Sequence, residues 1–138
     1  MAGGAFCLSG GMMIEIWRKD IVLQTDEGDI RLSFSPAQPR GYQKLSSALA
    51  SLERLRKEAS QLARGDRELA GAFIVDGEYR CLTELRDAIR EALIPGEWAK
   101  IEPVADYIDI RGMAEIASSI LVSYGEYYRH RLSDGLEE

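Results

Sequence analysis

The chain has 138 residues, 46% hydrophobic and 29% charged, the balance of a globular chain long enough to bury its own core rather than of a disordered tail. Its formal net charge of -6 argues against nucleic acid as a partner, because phosphate contacts require a concentrated basic surface. No apolar run approaches the roughly 18 residues that a membrane-crossing helix requires, so one domain with no membrane association is expected, in the cytoplasm.

Residues 1–13 read as a flexible leader. They are rich in glycine and carry no positive stretch, which argues against a signal peptide. Cys7 in this leader and Cys81 have no partner motif and are expected as free thiols.

Residues 14–34 carry strand periodicity. Ile14 and Ile16 alternate with Glu15 and Trp17, and Ile21 with Leu23, then Ile30, Leu32 and Phe34, continue the period of two. Thr25-Asp26-Glu27-Gly28-Asp29 is a hairpin connection. Two or three antiparallel strands are expected. A lone hairpin is marginal in water, so its apolar face must pack on helices or on another subunit.

Ser35-Pro36-Ala37-Gln38-Pro39-Arg40 punctuates the chain before the clearest helix, predicted over 41–64, with Gly65 as its stop. Tyr42, Leu45, Leu49, Leu52, Leu55, Ala59 and Leu62 recur at steps of three and four along one stripe. The step from Leu55 to Ala59 departs from a strict heptad, which favours a compact bundle over a coiled coil. The helix is also basic. Residues 36–64 hold six basic and two acidic side chains, against eight basic and sixteen acidic in residues 65–138. It either offsets the acidic half of its own fold or docks an acidic partner.

Residues 66–79 read as irregular, with room for one helical turn over Glu68 to Phe73, then Phe73-Ile74-Val75 as a short strand and Asp76-Gly77 as a turn. Leu82, Leu85, Ala88, Ile89, Ala92 and Leu93 mark a second helix over 82–93, ended by Ile94-Pro95-Gly96. A single turn is expected over 97–101 before Pro103, then a connector or short helix over 105–110. Met113, Ile116, Ala117, Ile120, Leu121, Tyr124 and Tyr127 mark the last helix, over 111–132, with residues 133–138 as a frayed tail. The expected fold is α+β, a mostly helical single domain over 14–132 with an N-terminal antiparallel β-hairpin.

No catalytic constellation stands out. His130 near the end of the last helix complements the helix dipole and has no nucleophile beside it in the sequence. Two cysteines and one histidine far apart cannot supply a zinc site, and no phosphate-binding glycine motif occurs. Glu102, Asp106 and Asp109 are the carboxylates nearest to a cation site, and solvated charge explains them better. No enzyme activity, metal or cofactor is expected. Tyr124, Tyr127 and Tyr128 cluster on the last helix, where they serve either the core or an interface.

The order of elements resembles the tail assembly chaperones of long-tailed bacteriophages. The resemblance rests on Ile30-Arg31-Leu32-Ser33-Phe34 leading into a long helix through Leu62, the break Ile94-Pro95-Gly96-Glu97, and a closing helix that ends in Tyr127-Tyr128-Arg129. It departs from that pattern in its longer hairpin and in Phe73-Ile74-Val75-Asp76-Gly77. The resemblance implies a non-catalytic, self-associating protein that binds the helical tape measure protein and assists tail assembly in the host cytoplasm. Grooves between amphipathic helices would take such a partner. Leu45, Leu49, Leu52, Tyr124, Tyr127 and Tyr128 are the expected contacts, although they must also build the core. The alternative is a structural, self-assembling subunit of a phage particle or another oligomer.

Overall fold

The computed structural model describes residues 11–137, with side chains described for all of these except Arg40 and residues 134–137. Residues 1–10 of the expected leader, Cys7 among them, and Glu138 of the expected tail lie outside the described residues. The fold is α+β and mostly helical: an antiparallel hairpin of β1 (Lys19–Thr25) and β2 (Gly28–Phe34) leads into four helices.

The hairpin runs in register from Lys19 opposite Phe34 to Thr25 opposite Gly28. The Thr25 hydroxyl closes its turn, donating to the Gly28 carbonyl at 2.5 Å and accepting the Glu27 amide at 3.1 Å. Alternation sends Ile21, Leu23, Ile30, Leu32 and Phe34 to the helices, and leaves Asp20, Val22, Arg31 and Ser33 on the other face. The ladder is shorter than the sequence pattern suggests, because residues 14–18 pair with nothing in the described sheet. The reason lies across the hairpin. After Phe34 the chain turns, with the Gln38 amide bonded to the Ser35 carbonyl, and Pro36 has no amide to offer a ladder.

Helix α1 (Arg40–Ala63) and helix α2 (Arg67–Ala92) form an antiparallel pair joined by three residues. Here the structure corrects the sequence reading: residues 66–79 are not irregular, and the second helix starts fifteen residues before 82. Asp66 supplies the missing start signal, its carboxylate accepting the amides of Glu68 and Leu69 at 3.0 and 3.1 Å. Gly77, read as a turn residue, is buried inside the helix against Leu55. Its lack of a side chain lets the two helices approach there, and Gly41 does the same against Ala92 at the other end.

The chain leaving α2 returns to the sheet. Leu93 bridges to Phe34, and the Ile94 amide bonds to the Ser33 carbonyl at 3.0 Å. Helix α3 (Trp98–Ala105) then continues through Pro103 rather than stopping before it. Proline removes the bond to the Ala99 carbonyl, and Ala99 is exposed, so water can satisfy that oxygen. Asp109 accepts the Gly112 amide at 2.9 Å and starts α4 (Ile110–Glu137), which remains helical past residue 132, where fraying was expected.

The core lies where the hairpin, α3 and α4 meet the ends of α1 and α2 that lie away from their connection, the start of α1 and the finish of α2. Phe34, Leu45, Leu85, Ile89, Ile101, Met113, Ile120 and Tyr124 are all fully buried there. Burying a side chain of this size contributes about 1.5–3 kcal/mol each, which makes this cluster the dominant stabilising term.

Candidate functional site

The core does not extend along the whole of the α1–α2 pair. Its outermost members on the two helices are Leu55 and Cys81. Beyond them, between Arg56 and Arg80, only Ala59, Ala70 and Gly77 are buried. This outer part is a two-helix arm with exposed flanks. Small residues along its seam let the helices pack closely without a third element.

One face of the arm is an open apolar groove of about 420 Å³, with a floor of Leu52, Leu55, Ala59, Ala63, Ala70 and Ile74. Arg56 stands on its α1 bank and Glu78 on its α2 bank. Tyr42 on α1 meets α4 through Tyr124 and Tyr128, with ring centroids 5.8 and 6.3 Å apart. Helical spacing puts Tyr42, Leu49, Arg56, Ser60 and Ala63 on one side of α1, so the groove continues the side on which α4 packs. The opposite face carries a smaller depression lined by Arg54, Leu55, Glu58, Phe73, Gly77 and Cys81. Burial pushes the Cys81 thiol up, with Glu84 adding to the effect, and a thiol held protonated is a poor nucleophile.

The outer flank of α2 adds a second apolar set. Val75 and Tyr79 are 71% and 76% exposed, four residues apart and turned away from α1. A helix with apolar residues on opposite sides has more to bury than its own fold covers. The cations of α1 are also free to act outward. Lys44 pairs with Glu91 at 3.8 Å, but Arg56, Lys57 and Arg64 form no ion pair among the described residues.

The expected contact residues divide. Leu45, Leu52, Tyr124 and Tyr127 are buried in the core, while Leu49 and Tyr128 are partly buried against it. The groove residues Ala59, Ala63, Ala70 and Ile74 escaped that selection. For Ala59 the signal was the stripe of α1 itself, and for Ala70 and Ile74 it was the helical spacing of α2, masked by the strand-like Phe73-Ile74-Val75.

The polar groups elsewhere have structural tasks. The Glu97 carboxylate accepts the Ser33 amide at 2.7 Å and Lys100 Nζ at 2.9 Å, clasping α3 to β2. The Lys100 hydrogen bond holds this carboxyl below its usual range, with the Ser33 amide helping and burial opposing. Asp20 likewise sits low, chiefly through the Ser33 hydroxyl at 2.6 Å. Asp106 faces Arg86 at 3.6 Å, and Asp109 serves as the start of α4. Tyr127 meets Trp17 edge to face and His130 lies tilted against it, with centroids at 4.8 and 5.6 Å. Among the described residues no three His, Cys, Asp or Glu side chains gather in a way that would hold a metal ion, and no helix is long and apolar enough to cross a membrane. No family model, curated protein or solved structure matches the chain.

Proposed function

We propose that the protein is a non-catalytic binding module that holds an amphipathic helix of a partner protein, as a phage tail assembly chaperone holds its tape measure protein. The observation that carries this reading is the open groove between the outer halves of α1 and α2. It offers an apolar floor from Leu52 to Ile74 at the width left by two helices, beside the seat of α4. A partner helix lying there completes a three-helix packing that the arm lacks on its own. Arg56 on one bank and Glu78 on the other favour a partner with acidic residues on its α1 side and basic residues on its α2 side. This assigns partner contact to Leu52 and Leu55, Ala59, Ala63, Ala70 and Ile74, which line the groove, rather than to Leu45, Tyr124 and Tyr127, which do not.

The test is co-expression with a tape measure protein, followed by affinity purification and mass measurement of the complex. Retention of the long helical protein in solution, with this chain bound along it, supports the reading. A tape measure protein that stays insoluble and co-purifies nothing contradicts it. A second reading, a self-assembling structural subunit, is favoured by the apolar Ile14 and Ile16, which stand exposed beside the sheet. It predicts that the chain remains in the finished particle, whereas a chaperone leaves.

A further inference from the structure

The sheet has an unused edge, and an unused stretch of strand-like chain runs directly into it. β1 pairs only with β2 in the described sheet, so its outer edge presents unpaired backbone groups. Residues 14–18 precede β1 without a break, keep its alternation and have no strand opposite them. Trp17 points to the helices, packing on Tyr127, as the odd-numbered Ile21 and Leu23 do. The even-numbered residues lie on the outward face, where Ile14, Ile16 and Val22 are 74%, 85% and 44% exposed. Arg18 and Asp20 lie between them on that same face.

We propose that the protein forms a two-fold dimer in which residues 14–24 pair antiparallel with the same residues of a second copy, centred on Lys19. Two-fold symmetry selects the register. Cross-strand partners share a face, and the axis preserves each face, so one residue must pair with its own copy. A centre on Arg18 pairs the two Arg18 side chains and sets Ile16 against Asp20, and a centre on Asp20 pairs the two Asp20 side chains and sets Arg18 against Val22. A centre on Trp17 sets Ile16 against Arg18 and Ile14 against Asp20, and a centre on Ile16 sets Ile14 against Arg18. A centre on Lys19 sets Arg18 opposite Asp20 twice and Ile16 opposite Val22 twice, so that charge meets opposite charge and apolar meets apolar at the four central pairs of the outward face, with Ile14 opposite Gln24 at each end. The two Lys19 side chains then meet on the other face, where each already has Glu126 at 3.9 Å.

The same register carries the second copy's residues 13–17 along the groove that β1 forms with α4. That groove is about 340 Å³, with Ile21, Leu23, Ile108 and Ile116 in its walls. The result is a continuous four-stranded sheet with no exposed β1 edge, built from two hairpins that are each marginal alone. The proposal is independent of the helical-partner reading, since it uses the opposite end of the molecule from the α1–α2 arm.

Mass measurement by light scattering on the full chain tests it. The wild-type chain is expected at twice 15.4 kDa. Ile16→Glu and Val22→Lys, both at exposed positions, should each give monomers with unchanged helix content. The double variant should restore the dimer, because the carboxylate introduced at position 16 of each copy then faces the ammonium introduced at position 22 of the other. A monomeric wild-type chain at every concentration, a dimer indifferent to both single variants, or a double variant that stays monomeric would each overturn the proposal.

Discussion

Gly41 and Gly77 hold α1 and α2 together at two levels, and their surroundings predict different tolerance. A methyl group at Gly41 would lie 2.5 Å from Ala92 Cβ and 2.6 Å from Ala92 Cα, and a backbone atom cannot rotate away. At Gly77 the clash is with the Leu55 side chain, which lines depressions on both faces of the arm and has room to turn. Gly41→Ala should therefore cost about 1–3 kcal/mol through overpacking. In Gly77→Ala the helix-propensity gain of about 1 kcal/mol offsets much of the strain, leaving stability close to wild type. Urea unfolding at constant m-value separates the two, and equal losses would contradict the assignment of rigid and yielding neighbours. Glu97 gives a second residue-scale prediction. Its folded-state pKa lies below its unfolded value, so its contribution is present above the unfolded value and is lost as pH falls through the folded one. Glu97→Gln should lower Tm near neutral pH and flatten the fall of Tm between roughly pH 5 and pH 3. An unchanged acid limb in the variant would show that the clasp to Ser33 and Lys100 contributes nothing.

Among the elements, the α1–α2 pair has unequal halves. The inner half is covered by α4 and the sheet, while the outer half rests on Ala59, Ala70 and Gly77. Local stability follows buried contact, so amides of residues 56–63 and 67–79 should exchange faster than those of 81–92. Uniform protection along α2 would contradict a bare arm. Asp66→Ala removes the carboxylate that satisfies two amides at the start of α2, and should cost about 0.5–2 kcal/mol while speeding exchange in its first turns. This arm is also where the sequence was least legible. Alternating Ile21, Leu23, Ile30, Leu32 and Phe34, and the stripe from Leu45 to Ala59, carry their periods openly because one face of each element is buried. In α2 the outer turns have apolar residues on opposite sides, so the helical period is blurred, and Phe73-Ile74-Val75 next to Asp76-Gly77 mimics a strand and turn. The start signal at Asp66 was local and readable, but its weight depends on Gly77 fitting against Leu55, a tertiary fact. The groove was half legible: Leu52, Leu55 and Ala59 belong to the stripe of α1, whereas Ala63, Ala70 and Ile74 have no signature until the two helices are brought together.

At the scale of the molecule, the two ends are suited to different contacts. The sheet end offers a strand edge with Ile16, Arg18, Asp20 and Val22 along its outward face, and the arm offers a groove between a basic helix and an acidic one. Of the cations of α1, Arg56 is the one that stands on the bank of this groove. The proposed function turns on a partner helix occupying the groove between α1 and α2. Hydrogen exchange of the chain, free and in complex with a co-expressed tape measure protein, reads that occupancy residue by residue. Binding should slow exchange in residues 52–79, and Ile74→Glu, a charge placed on the groove floor, should abolish both the slowing and the co-purification. Protection that appears elsewhere while residues 52–79 stay unchanged, or a complex that survives Ile74→Glu intact, would contradict a helix held in the groove.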